Sequence, residues 1–249
     1  MIPFSKDILN FFINNFPDVR TMLLGGLPAL LWAVFCLSLA GHIKMHYRLP
    51  TGYTRKIFHF MIFGSVIVVH AIWGMPGVCL FGAMTSVVIG YALVRGPGHF
   101  MYEAMAREKD EPRRTYYIVI AYLATLIGGL ISGIFFPRTA VFGYLVCGLG
   151  DAVAEPIGTR FGRHEYRALA IGGVHAVRSL EGSVSIFLVS LLTLIIFMFF
   201  SQEFPLAAYS VLVAIMIAVA SAAIEAISPH GWDNATMQVV PAWLGQVLL

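Results

Sequence analysis

The sequence predicts an all-α protein, a polytopic membrane bundle of about seven transmembrane helices with the N-terminus outside and the C-terminus cytoplasmic. Three observations carry this. The 249 residues are 59% hydrophobic and only 12% charged, whereas an average soluble domain is about 25% charged. The apolar residues gather into seven runs, each near the roughly 20 residues that a spanning helix needs. The basic residues gather in alternate connections between those runs. This composition excludes a disordered chain and a coiled coil, and it argues against an ordinary soluble enzyme. The net charge of +3 is too small to imply a nucleic-acid partner.

The first 20 residues, MIPFSKDILNFFINNFPDVR, have no basic region leading into an apolar core, so they do not read as a cleavable signal. Ile8, Leu9, Phe12, Ile13 and Phe16 fall at helical spacing, which predicts a short interfacial helix within residues 1–20. The spans are expected at Thr21–Ala40, Ile57–Trp73, Pro76–Val94, Tyr116–Phe136, Thr139–Gly158, Gly182–Phe200 and Pro205–Ile227. In lipid they must be helices, because backbone groups there need partners within their own segment. The runs are apolar on both parities, which excludes a membrane barrel. The last segment, Ser228–Leu249, ends in VVPAWLGQVLL, which is too short to span; it lies in the interface or re-enters the bundle. Trp73, Trp232 and Trp243 stand where aromatic anchors belong. Cys36, Cys79 and Cys147 lie inside apolar runs and read as packing residues, not as a disulfide framework. No repeat or linker interrupts the chain, so a single transmembrane domain over residues 1–249 is expected.

Orientation follows from the loops. Segment 41–56 carries Lys44, Arg48, Arg55 and Lys56. Segment 95–115 carries Arg95, Arg107, Lys109, Arg113 and Arg114. Segment 159–181 carries Arg160, Arg163, Arg167 and Arg178. These hold four, five and four of the 16 basic residues, leaving Lys6, Arg20 and Arg138 for the other side. The positive-inside rule makes the richer side cytoplasmic. The expected location is a multi-pass integral membrane protein, in a prokaryote of the inner (plasma) membrane.

Acidic residues within spans are costly and mark function. Asp151 and Glu155 are four apart and share a helix face. Both fall toward a predicted helix C-terminus, where the dipole is already negative. Glu225, followed by Asp233, repeats the pattern at the end of the seventh run. Such acids imply a bound divalent metal; the alternative is that Asp151 pairs with a nearby arginine. At the opposite helix ends stand cations: Arg55 and Lys56 in TRKIFHF, and Arg178 in VRSLEGS, where Ser179 is a plausible N-cap. Helix N-termini bind phosphate through free N–H groups, although membrane topology also favours basic residues there. Segment 158–182 mixes Gly158, Gly162, Gly172, Gly173 and Gly182 with four arginines, a phosphate signal without the GxxxxGK[ST] of a P-loop. His42, His46, His99, His164, His175 and His230 show no zinc-site spacing and read as interfacial or hydrogen-bonded. His70 reads as structural. His59 lies one turn past Arg55 and Lys56, in reach of a proton-shuttle role or a substrate hydroxyl.

RKIFH (Arg55–His59), GDAVAEPIGTRFGRH (Gly150–His164), RSLEGS (Arg178–Ser183) and DNAT (Asp233–Thr236) together resemble the CTP-dependent lipid-alcohol kinases, which include phytol, dolichol and CTP-dependent diacylglycerol kinases. The four motifs come in order across residues 50–240, the expected catalytic region. The resemblance implies transfer of the γ-phosphate of CTP, with Mg²⁺ or another divalent cation, to a membrane lipid alcohol: a prenol such as phytol, farnesol or a polyprenol, or diacylglycerol. It implies catalytic roles for Asp151, Lys56 and His59. It implies phosphate or nucleotide contacts from Arg55, Lys56, Gly158, Arg160, Gly162, Arg163, Arg178, Ser179, Gly182, Ser183 and Asn234. The expected metal set is Asp151, Glu155, Glu181, Glu225 and Asp233. The chain departs from the family's pattern at Arg178, where lysine is usual. Expected partners are the nucleotide triphosphate, the lipid alcohol and membrane lipids, but no nucleic acid; a homo-oligomer is admitted.

Two rival readings remain at this stage. A CDP-diacylglycerol synthase-like cytidylyltransferase would attack the α-phosphate and release pyrophosphate. A lipid transporter or binding protein would carry its polar site near the bilayer midplane between repeated halves, and no repeat is present.

Cysteines placed at positions 107 and 167 are expected to react with impermeant thiol reagents only from the cytoplasmic side. Labelling of either from outside intact cells would reverse the orientation.

Overall fold

The computed structural model describes residues 3–169 and 176–249; Gly172, Gly173 and His175 lie outside them. The protein is 81% helical. Among the described residues, six helices are long and apolar enough to cross a membrane. Seven apolar runs give six such helices because Ile57–Trp73 and Pro76–Val94 belong to one element with a sharp break at Gly74. The chain divides into two compact units, Met1–Ala106 and Arg107–Leu249.

The first unit contains α1 (Pro3–Asn15), α2 (Val19–Tyr47), α3 (Thr51–Arg95) and α4 (Phe100–Glu103). The helix predicted from Ile8–Phe16 spacing is α1; it buries Phe11 and exposes Leu9, Phe12 and Ile13. Asp18 caps α2, its carboxylate accepting from the Thr21 N–H at 2.6 Å. Gly74 adopts φ 61° and ψ −156°, a conformation open to glycine and strained for other residues. Pro76 then lies in the first turn of the second arm, where a missing N–H costs nothing. Both arms of α3 pack along α2. Trp32 Nε1 donates to Ser65 Oγ at 2.7 Å on the first arm, and a Cβ on Gly25 would touch Leu80 of the second at 3.2 Å. The start of α3 is tied to the segment after α4, since Thr54 Oγ1 donates to the Ala104 carbonyl at 3.1 Å.

The second unit opens with a 3₁₀ turn at Glu108–Asp110 and continues with α5 (Arg114–Phe135), α6 (Ala140–Leu145), a π-helical turn (Val146–Gly150) and α7 (Asp151–Phe161). A hairpin of β1 (Glu165–Arg167) and β2 (Val177–Ser179) follows, then α8 (Leu180–Phe200), α9 (Ala208–Ile227) and α10 (Asp233–Leu248). The hairpin pairs antiparallel with Tyr166 opposite Arg178; loop reading of this segment had not anticipated strands. The combined span Ala140–Phe161 is the most enclosed of the six, with 72% of its central window buried against 17–39% in the others.

The segment Ser228–Leu249 re-enters the bundle as α10, which packs against α5, α6 and α9. Glycines on its neighbours make room for it, as small residues do between membrane helices. A Cβ on Gly128 would stand 2.8 Å from Ala235 Cα, and one on Gly143 would strike the Gln238 carbonyl. Gln238 is buried, and its Nε2 donates to the Thr125 carbonyl at 3.0 Å and to the Asn234 carbonyl at 2.8 Å. Thr139 Oγ1 donates to the Ala242 carbonyl at 2.7 Å, fixing the far end of α10.

Gly143→Ala is expected to destabilise the protein by about 1–3 kcal/mol, because the added methyl meets backbone that has no side-chain freedom to yield. A fall in the thermal unfolding midpoint in detergent checks this. An unchanged midpoint would place α10 elsewhere.

Candidate active site

The π-helical turn decides where the acids of α7 point. Its extra residue makes the Asp151 N–H bond to the Val146 carbonyl instead of the Cys147 carbonyl. Such single widened turns recur at functional sites. Gly150 closes the turn directly beneath Ser190 of α8, and the Ser190 hydroxyl is buried without a hydrogen-bond partner among the described residues. Asp151 itself is 2% exposed and begins α7 in the middle of the span, ten residues from its end. The sequence had placed it near the end. Glu155 follows one turn later on the same face.

Glu155 faces a charged cluster that the sequence reading took only as a topological loop. Lys109 Nζ lies 2.9 Å and Arg107 Nη1 3.5 Å from Glu155 Oε1. Arg107 is buried; its Nε donates to Asp110 Oδ2 at 2.8 Å and its Nη2 lies 2.7 Å from His230 Nε2. Asp110 Oδ1 is 3.1 Å from the same His230 nitrogen. The two contacts on Nε2 compete, since a neutral ring accepts there from Arg107 or donates to Asp110. Burial pushes the His230 pKa down and Arg107 adds to that, outweighing the pull of Asp110. Burial pushes Asp110 up, but the His230 hydrogen bond and the Arg107 charge overcome it, leaving the carboxyl below its ordinary value. The cluster therefore favours ionised Asp110 beside a neutral His230. A pattern of mixed charges in REKDEPRR was the available signal; the partner His230 is 123 residues away and was not legible.

A second buried group gathers around Arg178. Its Nε lies 2.8 Å from Glu225 Oε1, its Nη2 3.2 Å from Asp233 Oδ2, and its Nη1 donates to the Ser228 carbonyl at 3.0 Å and to the Glu225 carbonyl. The last two carbonyls belong to the C-terminal end of α9. The negative helix end and its two acids thus meet a cation, and that cation is Arg178. An arginine pair was expected as the alternative for Asp151; the pairing with Arg178 falls on Glu225 and Asp233. Next to it, Ser179 caps α8 by accepting from the Gly182 N–H at 3.1 Å. Gly158, Gly162 and Gly182 surround this cap. A Cβ on Gly158 would stand 2.9 Å from Ser179 Oγ, one on Gly162 3.0 Å from Ser179 Cβ, and one on Gly182 3.1 Å from the Ala154 carbonyl. These glycines let α7 and the start of α8 approach closely.

The other expected site residues of the second unit have contacts of their own. Ser183 Oγ pairs with Tyr166 OH at 2.7 Å, and Glu181 takes His164 Nδ1 at 2.8 Å. Asn234 donates to Thr125 Oγ1 at 2.7 Å, which joins α10 to α5. Arg160 and Arg163 are exposed, with Arg160 over the Phe161 ring. In the first unit, Arg55, Lys56 and His59 occupy the opening turns of α3. Lys56 is buried, Arg55 and His59 are half-buried, and the His59 ring lies 4.6 Å from that of Phe63. Among the described residues no three His, Cys, Asp or Glu side chains converge to enclose a metal ion.

The cations of the second unit differ in how firmly they are held. Removing one partner of a buried ion pair costs about 3–5 kcal/mol, which applies to Arg107 and Arg178, with side chains only 7% and 11% exposed. Lys109 is held less firmly, since its side chain is 52% exposed and its pair with Glu155 is screened by solvent on that side.

The chain is similar to a phytol kinase of Synechocystis sp., at 32% identity over 206 residues, covering 80% of this chain and 82% of that one. No family model and no solved structure matches it.

Arg178→Ala is expected to lower stability by about 3–5 kcal/mol, since it strands Glu225 and Asp233. Arg178→Lys restores the charge but not the planar fork, so its loss is smaller. Unfolding midpoints of both variants check the order, and an Ala variant as stable as wild type would show that the fork carries nothing.

Proposed function

The chain belongs to the phytol/polyprenol kinase family, and from this we propose that it transfers the γ-phosphate of CTP to the hydroxyl of a membrane lipid alcohol at the cytoplasmic face. The observation that carries the reading is a relative's kinase chemistry joined to a buried carboxylate, Asp151, with a second, Glu155, one turn away that faces Lys109 and Arg107 of the same unit. The cytoplasmic assignment rests on the basic loops, and CTP as donor rests on the motif resemblance.

Phosphoryl transfer asks a protein mainly for positioning and for charges that answer the charge spread over the transferred group. The alcohol oxygen attacks the γ-phosphorus, the bond to the bridging oxygen breaks, CDP departs, and the hydroxyl proton leaves with a base. Asp151 is shielded from bulk water, so its carboxylate interacts strongly with whatever stands before it. It either holds the metal or orients the alcohol and accepts its proton. A lipid alcohol reaches it sideways between helices without leaving the bilayer.

The residues fit a magnesium ion of the kind that nucleotide enzymes use. Glu225 and Asp233 both hold Arg178; Glu155, which meets Lys109 and Arg107, lies one turn from the buried Asp151. Magnesium is commonly bound through one or two carboxylates together with substrate phosphates, not by an all-protein cage. Asp151 would hold it, with Glu155 as the second carboxylate. When bound, it neutralises charge on the phosphates.

Purified protein given labelled CTP or ATP, with a panel of prenols and diacylglycerol, is expected to yield a phosphorylated alcohol and CDP. Release of pyrophosphate would make it a cytidylyltransferase. Asp151→Asn is expected to cut kcat by at least about 100-fold, the lower end for loss of a positioned acid–base group, while the unfolding midpoint holds. Near-normal turnover by that variant would remove Asp151 from the reaction.

A further inference from the structure

We propose that Lys109 is a phosphate-contacting cation of this site, an assignment that rests on the kinase reading and adds a residue outside the four motifs. Lys109 stands 2.9 Å from Glu155, which lies one helical turn from Asp151. Residues so spaced have Cβ atoms about 5–6 Å apart, so Lys109 is bound to the immediate helical neighbour of the buried Asp151. It is also the cation there with a solvent-accessible tip, 52% exposed where Arg107 and Arg178 are 7% and 11%.

Three features suit Lys109 to exchanging a carboxylate for a phosphate oxygen. Its base is fixed: the 3₁₀ turn carrying it is locked by Arg107 on Asp110 and by Asp110 on His230. Its present partner is replaceable, because the lysine side of the pair is half in solvent, where water and salt screen the attraction. Its departure leaves no orphan, because Arg107 Nη1 lies 3.5 Å from the same Glu155 oxygen and remains as counter-charge. Lysine suits this task as a compact point charge with three rotatable donors on a flexible stem. The buried arginines lack this freedom, since every nitrogen of Arg178 is committed to α9 or α10.

The alternative is that Lys109 does no more than neutralise Glu155. Acylation of lysines on the intact protein in detergent separates the two, read by mass spectrometry without nucleotide, with Mg-CTP, with Mg-ATP and with inorganic triphosphate. Lys109 is expected to be protected by a nucleotide or by triphosphate, with Lys6 unaffected as the internal reference. Lys109→Ala is expected to lower kcat/KM for nucleotide by about 10- to 100-fold, the scale of one charge-assisted hydrogen bond, with the unfolding midpoint unchanged. Lys109→Arg is expected to recover most of the loss. If Asp151→Asn abolishes turnover while Lys109 stays unprotected and Lys109→Ala is kinetically silent, the assignment falls and the kinase reading stands. If the wild-type protein phosphorylates no lipid alcohol, both fall.

Discussion

A guanidinium that is only 11% exposed must find its acceptors within the protein, and the second unit is arranged around meeting that demand for Arg178. The residue arrives on β2, the returning strand of the hairpin, and its fork reaches the carboxylates of Glu225 and Asp233 together with the last carbonyls of α9. One side chain thereby fixes the hairpin, the end of α9 and the start of α10 against each other. Ser179 is the next residue, so the same placement sets the cap of α8 and the glycine contacts that draw α7 against it. The position of Asp151 along α7 follows from this close approach and from the widened turn that precedes it.

The second buried network works differently. Arg107, Asp110 and His230 join the turn before α5 to the connection between α9 and α10. Glu155 takes its cations from the edge of that network. Glu155 thus stands between one cation held rigidly and one held loosely. This difference in exposure, more than the number of charges, gives each basic residue its capacity to meet a ligand.

Much of the architecture was legible because it depends on local composition. Apolar runs give spans, and the Ile8–Phe16 spacing gave α1. Gly74 and Pro76 marked a break, but a run of apolar residues cannot say whether the break separates two helices or interrupts one. The re-entry of α10 was open on sequence because its 16 residues are too few to span, and its place depends on Gly128 and Gly143, distant in sequence. Asp151 was singled out as a costly charge and Arg178 as a cation at a helix N-terminus; the contacts of Arg178 and Arg107 were not legible, because Glu225 lies 47 residues from Arg178 and His230 lies 123 from Arg107. The glycines of segment 158–182 were read as a phosphate cradle; Gly158, Gly162 and Gly182 also admit the Ser179 cap. Either use asks for a missing Cβ, and composition does not distinguish them.

The order in which the fork's members emerge during synthesis carries a consequence for biogenesis. Arg178 precedes Glu225 by 47 residues and Asp233 by 55. At about 5–20 residues per second of elongation, the arginine waits roughly 2–10 s for its counter-charges. During that interval α8 can enter the bilayer, but its leading arginine cannot be buried without the cost of an unanswered charge in lipid. The growing protein therefore keeps this end of α8 at the aqueous boundary until α9 has been made and α10 has begun. The last helix of the unit is then inserted into an assembly already shaped to receive it, and the translocation machinery must leave room for an element that never crosses the membrane on its own.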